Sequence, residues 1–316
     1  MAFERLKLIL ALSAAVYTTT ALPTPSYAQD DAWEQQKAER FKPLSETQKH
    51  AISDAVPEAV ATPAKDRRIL VFYRCNGFIH TSIPHANECV QAMADKTGAF
   101  KVDFADTYDV FTKENLAKYD AILLNNTTNM IFPSGANRDA FMDFIIGGKG
   151  LIGFHAASDN FNRHPDCLEL VGGTFAGHPW GAGGKWAFKL DDPDHVLNAA
   201  FEGNGFWHTD EIYQYNPKSY VGPEVLRILV SLDMTKDAVS SRIDDGPREV
   251  PVSWVRTAGD GRVFYTNFGH REDTFANPVI VKHMLDGIQY ALGDLKVDVV
   301  PTAKAESHEP AFAPER

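Results

Sequence analysis

The chain has 316 residues and sets 42 acidic against 31 basic side chains, a formal charge of −11 at pH 7. That sign argues against nucleic-acid phosphates and anionic membrane surfaces as partners. The cysteines Cys75, Cys89 and Cys167 are odd in number and match no zinc spacing, so no cysteine-built metal framework is expected. A single Cys75–Cys89 disulfide and buried free thiols both remain open, because a domain of this size needs no staple.

The chain begins with Arg5 and Lys7, an apolar run over 8–16, a polar patch, and Ser26-Tyr27-Ala28 before Gln29. A basic start, a short apolar stretch and small residues before a cleavage point predict a signal peptide over 1–28. The run is too short to span a bilayer, which makes an uncleaved anchor the weaker alternative. The expected product is an exported protein, periplasmic or secreted, with no membrane contact after cleavage. Residues 29–66 are polar and interrupted by Pro43, Pro57 and Pro63, and read as a linker with one or two short helices. Residues 295–316 turn to Pro, Glu and Ala and read as a flexible tail.

Between them, 67–294 is long enough for one α/β domain. Residues 68–73 form a continuous apolar run, the mark of a parallel strand buried on both faces. A helix over 84–96, strands over 100–104 and 121–124, a helix over 137–146 and a strand over 151–154 follow. This alternation predicts right-handed crossovers and a doubly wound sheet that binds ligands at its carboxyl edge. After Gly172 the pattern changes to closely spaced strands over 186–190, 212–215, 225–232, 250–255 and 263–268, expected as antiparallel additions. A last helix over 278–292 places Val279, Ile280, Met284, Leu285, Ile288 and Leu292 where one face packs on the sheet.

Gly150-Leu151-Ile152-Gly153-Phe154-His155-Ala156-Ala157 is the stretch around which the chemistry gathers. A Gly-x-X-x-small sequence after a buried strand throws residue X into a sharp bend at the sheet edge. Here X is His155, which can carry a proton or bind a metal but is not the usual acyl-transfer nucleophile. His80 lies after the first strand and His270 after the strand over 263–268. If those strands are parallel, three imidazoles meet at one edge, as a catalytic site requires. His85 reads equally as a surface, capping or ligand residue, and His178 lies in a glycine-punctuated loop that lines or covers a pocket. His50, His164, His195, His283 and His308 read as solvated or helix-surface positions.

In Trp207-His208-Thr209-Asp210-Glu211-Ile212-Tyr213 an acidic pair stands among aromatics, with Glu211 and Tyr213 on one strand face. A carboxylate in such a setting suits acid–base work, and an exposed pair bonded to nearby amides is the alternative. His80, His155 and His270 with a carboxylate would also suit zinc or manganese, although no local spacing marks a metal site. Gly181-Ala182-Gly183-Gly184 does not join a strand to a helix, so it is no phosphate cradle.

Several motifs in one order resemble the ThuA-like, or trehalose-utilisation, family. They are Phe78-Ile79-His80-Thr81-Ser82, Gly153-Phe154-His155-Ala156-Ala157, Leu170-Val171-Gly172-Gly173-Thr174-Phe175 with His178-Pro179, Asp210-Glu211-Ile212-Tyr213, Pro251-Val252-Ser253-Trp254, and Gly261-Arg262-Val263-Phe264-Tyr265-Thr266 ending in Gly269-His270. The resemblance implies a flavodoxin-like, class I glutamine-amidotransferase-like three-layer sandwich. It argues against amidotransferase activity, because His155 stands where that chemistry needs a cysteine. Family members are associated with the breakdown of oxidised sugars, acting on a 3-keto-glycoside that a dehydrogenase has made.

That association leads to an expected lyase or hydrolase of keto-glycosides. A ketone at C3 acidifies the C2 proton, so a base can remove it while the C1 oxygen leaves. His155 or Glu211 is the expected base, with His80 and His270, or a divalent metal they hold, on the ketone oxygen. Trp180, Trp207 and Tyr213 are expected to stack on sugar faces, with His178 and Asp210 as further substrate contacts. The expected partner is a small carbohydrate, and a homo-oligomer is compatible with these features. The competing expectation is a sugar- or partner-binding protein without turnover.

Overall fold

Apolar runs buried on both faces assemble into parallel sheets, because the crossover helices cover both sides. The computed structural model describes residues 26–58, 61–244 and 249–316. Helices α1 (Ser26–Arg40) and α2 (Glu46–Ala55) precede the alternating run. That run comprises β1 (Arg68–Phe72), α3 (Ile83–Thr97), β2 (Lys101–Ala105), α4 (Lys113–Leu116), β3 (Ala121–Asn125), α5 (Gly135–Ile146) and β4 (Gly150–Phe154). Then come β5 (Phe175–Trp180), β6 (Lys185–Leu190), β7 (Phe206–Thr209), β8 (Ile212–Tyr215), β9 (Arg227–Leu232), α6 (Asp237–Ser240), β10 (Pro251–Ala258), β11 (Gly261–Thr266) and α7 (Pro278–Leu292).

The nine-stranded sheet has the order β2-β1-β3-β4-β11-β10-β9-β6-β7. Its first five strands are parallel, in the 2-1-3-4-5 order of a flavodoxin-like sheet with β11 in fifth place. The other four extend it in antiparallel fashion. Alternate residues divide the core into two layers, as the period of a strand requires. Ile69, Val71, Leu123 and Ile152 face α3 and α7, whereas Leu70, Ile122, Leu124 and Leu151 face α5. This is the expected three-layer α/β sandwich with added strands.

Helix boundaries follow local chemistry. Asn277 caps α7 by accepting from the Val279 amide, Pro278 opens it and Gly293 closes it in the left-handed region. The helix is buried on more than the expected face: every residue from Ile280 to Leu292 except Lys282 is buried. Val279 is exposed and His283 is fully buried. Val279 falls in the first turn, outside the helix–sheet contact, while His283 finds partners for both ring nitrogens.

The ends of the chain also differ from expectation. The segment expected as a linker docks on the domain: Ile52 and Val56 enter the core, and Trp33 is buried with its Nε1 donating to Asp106 Oδ2 at 3.0 Å. The tail expected to fray lies along the sheet. Leu190 and Ala311 exchange backbone hydrogen bonds of 2.9 and 3.0 Å, and Ala313 is buried. Backbone pairing of this kind leaves no periodic mark in the sequence. The leader expected over 1–28 lies largely outside the described residues. Cys75, Cys89 and Cys167 are free and buried, and burial pushes the Cys75 and Cys89 thiols up to about 12. No helix among the described residues is long and apolar enough to cross a membrane.

Candidate functional site

The bend after β4 has the geometry its sequence predicts. His155 has φ of 44°, a left-handed conformation that costs a non-glycine residue of order 1–3 kcal/mol and turns its side chain off the strand. The small residues on either side are steric requirements. A Cβ on Gly153 would fall 2.9 Å from the Tyr265 ring and 3.0 Å from Ala157 Cβ. A buried network holds the bend. Tyr265 donates its hydroxyl to the His155 carbonyl at 2.7 Å and meets Ser158 Oγ at 3.0 Å, while Asn267 Nδ2 donates to the same Tyr265 oxygen at 3.0 Å.

Because β1, β4 and β11 are parallel, their following loops open on one rim. His80, His155 and His270 meet there with ring centroids 4.9, 5.0 and 5.1 Å apart and planes nearly perpendicular. Glu211, just before β8, completes the group: one ligand-type atom from each of the four residues lies within 4.8 Å of the others. Glu211 Oε1 is 3.1 Å from His270 Nδ1 and 3.7 Å from His155 Nε2, and Oε2 is 3.4 Å from His178 Nδ1. His178 is exposed and stacks on Phe175 at 5.9 Å.

Electrostatics keep the two inner rings neutral. Burial, reinforced by the neighbouring His270, lowers His80 to about 3. Burial, with His80 and His270 close by, holds His155 well below its usual value. His155 Nδ1 lies 2.8 Å from the Asn267 carbonyl, which can only accept, so Nδ1 carries the proton and the Nε2 lone pair faces the cluster. His80 Nδ1 is buried with no hydrogen-bond partner. His155 Nε2 meets His270 Nδ1 at 3.3 Å, and neutral imidazoles converging in this way beside a carboxylate, one fixed by a backbone carbonyl behind it, are a donor set that fits zinc or manganese.

Other residues expected at the site divide into supports and misplacements. Asp210 is fully buried and makes no contact available to substrate. Its Oδ1 accepts from the amides of Glu211 and Arg271 at 2.9 and 3.1 Å, and its Oδ2 from the Gly269 amide at 2.8 Å and Thr274 Oγ1 at 3.0 Å. It therefore fixes the turn that carries His270, at a Gly269 whose φ of 125° only glycine adopts easily. Burial pushes its carboxyl up to about 6, against the pull of those donors. Tyr213 is buried with its ring 4.4 Å from that of His155, so it forms the inner wall instead of a sugar platform.

Of the two tryptophans expected to stack on sugar, Trp180 has no exposed face and Trp207 is held by the tail. Trp180 is fully buried, with its Nε1 donating to the Val239 carbonyl at 3.0 Å. The tail engages Trp207: its Nε1 donates to Pro314 O at 2.8 Å and the Arg316 guanidinium lies 4.2 Å over its ring. Trp180 forms part of the scaffold, because a buried indole needs a partner for its N–H, whereas Trp207 is only half-buried.

Sequence reasoning missed Asn267, which orients His155 and accepts from the Tyr213 amide through Oδ1 at 2.9 Å. Its only signal is a polar residue between a strand end and Gly269-His270. It also missed Phe78, which is 55% exposed with its ring 4.8 Å from that of His80.

Among solved structures, a ThuA-like protein from Bacteroides uniformis is similar at a TM-score of 0.57 and 22% identity, over 72% of this chain and 94% of that one. A ThuA-like protein from Parabacteroides merdae gives 0.52 at 18% identity, over 78% and 98% of the two chains. These likenesses show the shared fold. No curated protein matches the chain. A family model described as trehalose utilisation matches residues 68–291, the span that carries every member of the histidine–glutamate cluster, and the chain therefore belongs to the ThuA family, with a carbohydrate-related role.

Proposed function

We propose that the protein is an exported enzyme that cleaves 3-keto-glycosides by elimination at the rim cluster. The observation that carries this reading is the convergence of His80, His155, His270 and Glu211 on one point at the carboxyl edge of a sugar-related fold. Glu211 takes the C2 proton, the C2–H electron pair becomes the C1–C2 double bond, and the C1–O bond breaks. The departing oxygen receives a proton from His178, the exposed imidazole 3.4 Å from Glu211 Oε2. No oxidant or reductant enters the balance.

His80, His155 and His270 would hold a divalent cation such as zinc or manganese, which would stabilise negative charge on the C3 oxygen and leave Glu211 as the base. Asn267 keeps His155 in the tautomer this requires, and Tyr213 shields the inner side from water. Export rests on the composition of 1–28.

Incubation of the purified protein with 3-keto-trehalose, with and without a chelator, tests the reading. Release of glucose that stops on chelation and returns with zinc or manganese is the expected result. A C2-deuterated substrate loses its label on elimination and keeps it on direct hydrolysis, which separates the two chemistries. Full activity in the presence of the chelator would remove the metal, and no turnover under any condition would remove the enzyme.

A further inference from the structure

Helix α1 lies outside the family-matched residues 68–291, yet it packs against the loop that carries His80. Trp33 joins Cys75, Ile79 and Ile83 in a small apolar cluster, with Phe41 and Tyr73 against it. Three polar ties fix the helix. Trp33 Nε1 and Lys37 Nζ reach Asp106 Oδ2 at 3.0 and 2.6 Å, and Arg74 Nη1 reaches Asp30 Oδ1 at 2.6 Å. Docked in this way, the helix ends with the Arg40 guanidinium 5.6 Å from the centroid of the Phe78 ring. Phe78 in turn stands 4.8 Å from the His80 ring and 6.4 Å from the His270 ring, parallel to the latter within 18°.

These contacts form a line from the cluster outward: imidazoles, then an exposed aromatic ring, then a cation. Arg40 is exposed and has no ion pair or hydrogen bond among the described residues. An exposed aromatic beside a planar array of donors matches the two surfaces of a pyranoside, its C–H face and its hydroxyl rim. Resting on the reading of the rim cluster as a keto-glycoside site, we infer that Phe78 and Arg40 form the outer wall of that site. They bind the leaving-group sugar, the ring beyond the one that carries the ketone. Helix α1 is then a specificity element that this chain adds to the family domain.

The test uses the full chain and the variants Arg40→Ala and Phe78→Ala, with 3-keto-trehalose and methyl 3-keto-glucoside as substrates. Loss of a charged hydrogen bond or an apolar wall raises KM for 3-keto-trehalose about tenfold, with kcat within about twofold. The rise is smaller for the methyl glycoside, which has no second ring. Both side chains are exposed, so Tm and bound metal stay at wild-type values. An equal rise for both substrates, or an unchanged KM in both variants of a protein that turns over 3-keto-trehalose, overturns this inference alone. A wild-type protein inert towards both glycosides overturns it together with the proposed function.

Discussion

His283 on α7 and His80 at the carboxyl rim are both buried imidazoles kept neutral, at about 4 and about 3, chiefly by burial. Their surroundings differ. His283 has Nε2 2.8 Å from Ser253 Oγ and Nδ1 2.8 Å from the Leu197 carbonyl, so both nitrogens are engaged within the core. His80 leaves Nδ1 without a partner, and His155 beside it has Nε2 3.3 Å from His270 Nδ1 within the cluster. Burial and depressed basicity alone do not mark a site; what sets His80 apart is an unpartnered ring nitrogen within a convergence of ligand-type atoms. Backbone strain follows the same division. Among the described residues, four of the five non-glycine residues with positive φ, Asn126, Asn129, His155 and Phe161, follow β3 or β4 at the rim.

Exchange of roles between the two regions would break this comparison. His155→Ala lowers turnover of 3-keto-trehalose by roughly 10²- to 10⁴-fold and, because its ring is buried and bonded to the Asn267 carbonyl, lowers the urea midpoint as well. His283→Ala loses stability alone. It empties a packed position and strands the Ser253 and Leu197 partners, at a cost of about 3 kcal/mol in stability, with kcat/KM unchanged. Equal losses of activity in the two variants would show that the distinction is false.

A finer probe is Asn267→Ala, which leaves all four cluster residues in place and removes the side-chain bonds to Tyr265 and the Tyr213 amide that steady the rim. Supports of this kind are worth about 10- to 100-fold in metal affinity, so titration with zinc or manganese shows a shift of that size. An unchanged affinity would confine Asn267 to the fold.

The smallest effect is a slope. Above pH 6.5 His283 is neutral in both the folded and the unfolded chain. Between 6.5 and about 4 the unfolded chain binds a proton that the folded one refuses. Stability therefore falls as pH falls through that window, and His283→Gln flattens part of the decline in Tm against pH. A slope identical to that of wild type would mean that His283 is protonated in the folded protein.

Much of the rim could be read in the sequence because its determinants are local. The apolar runs of β1, β3 and β4 and the Gly153-Phe154-His155-Ala156-Ala157 turn announce strands and a bend. Parallel order then brings His80, His155 and His270 together. Glu211 followed from its place on a strand face with Tyr213. What escaped depended on partners remote in the chain. Trp33 reads as a lone aromatic in a polar segment until Asp106, 73 residues away, accepts its N–H. Trp180 and Asp210 have the composition of a sugar site, but Val239 and the 269–274 turn claim their polar atoms. His283 looks like a helix-surface residue because its two partners lie on β10 and in the turn that begins at Val196.

The C-terminal tail has a consequence of another kind. Beside Leu190, past the end of the β6–β7 pairing, the sheet would otherwise leave an amide and a carbonyl bare, groups of the kind on which strands of separate molecules pair. Ala311 takes both, Gly205 lets the backbone of 312–313 pass close by, and Pro314 closes over Trp207. A chain clipped before residue 305 would keep its rim and lose its guard against self-association.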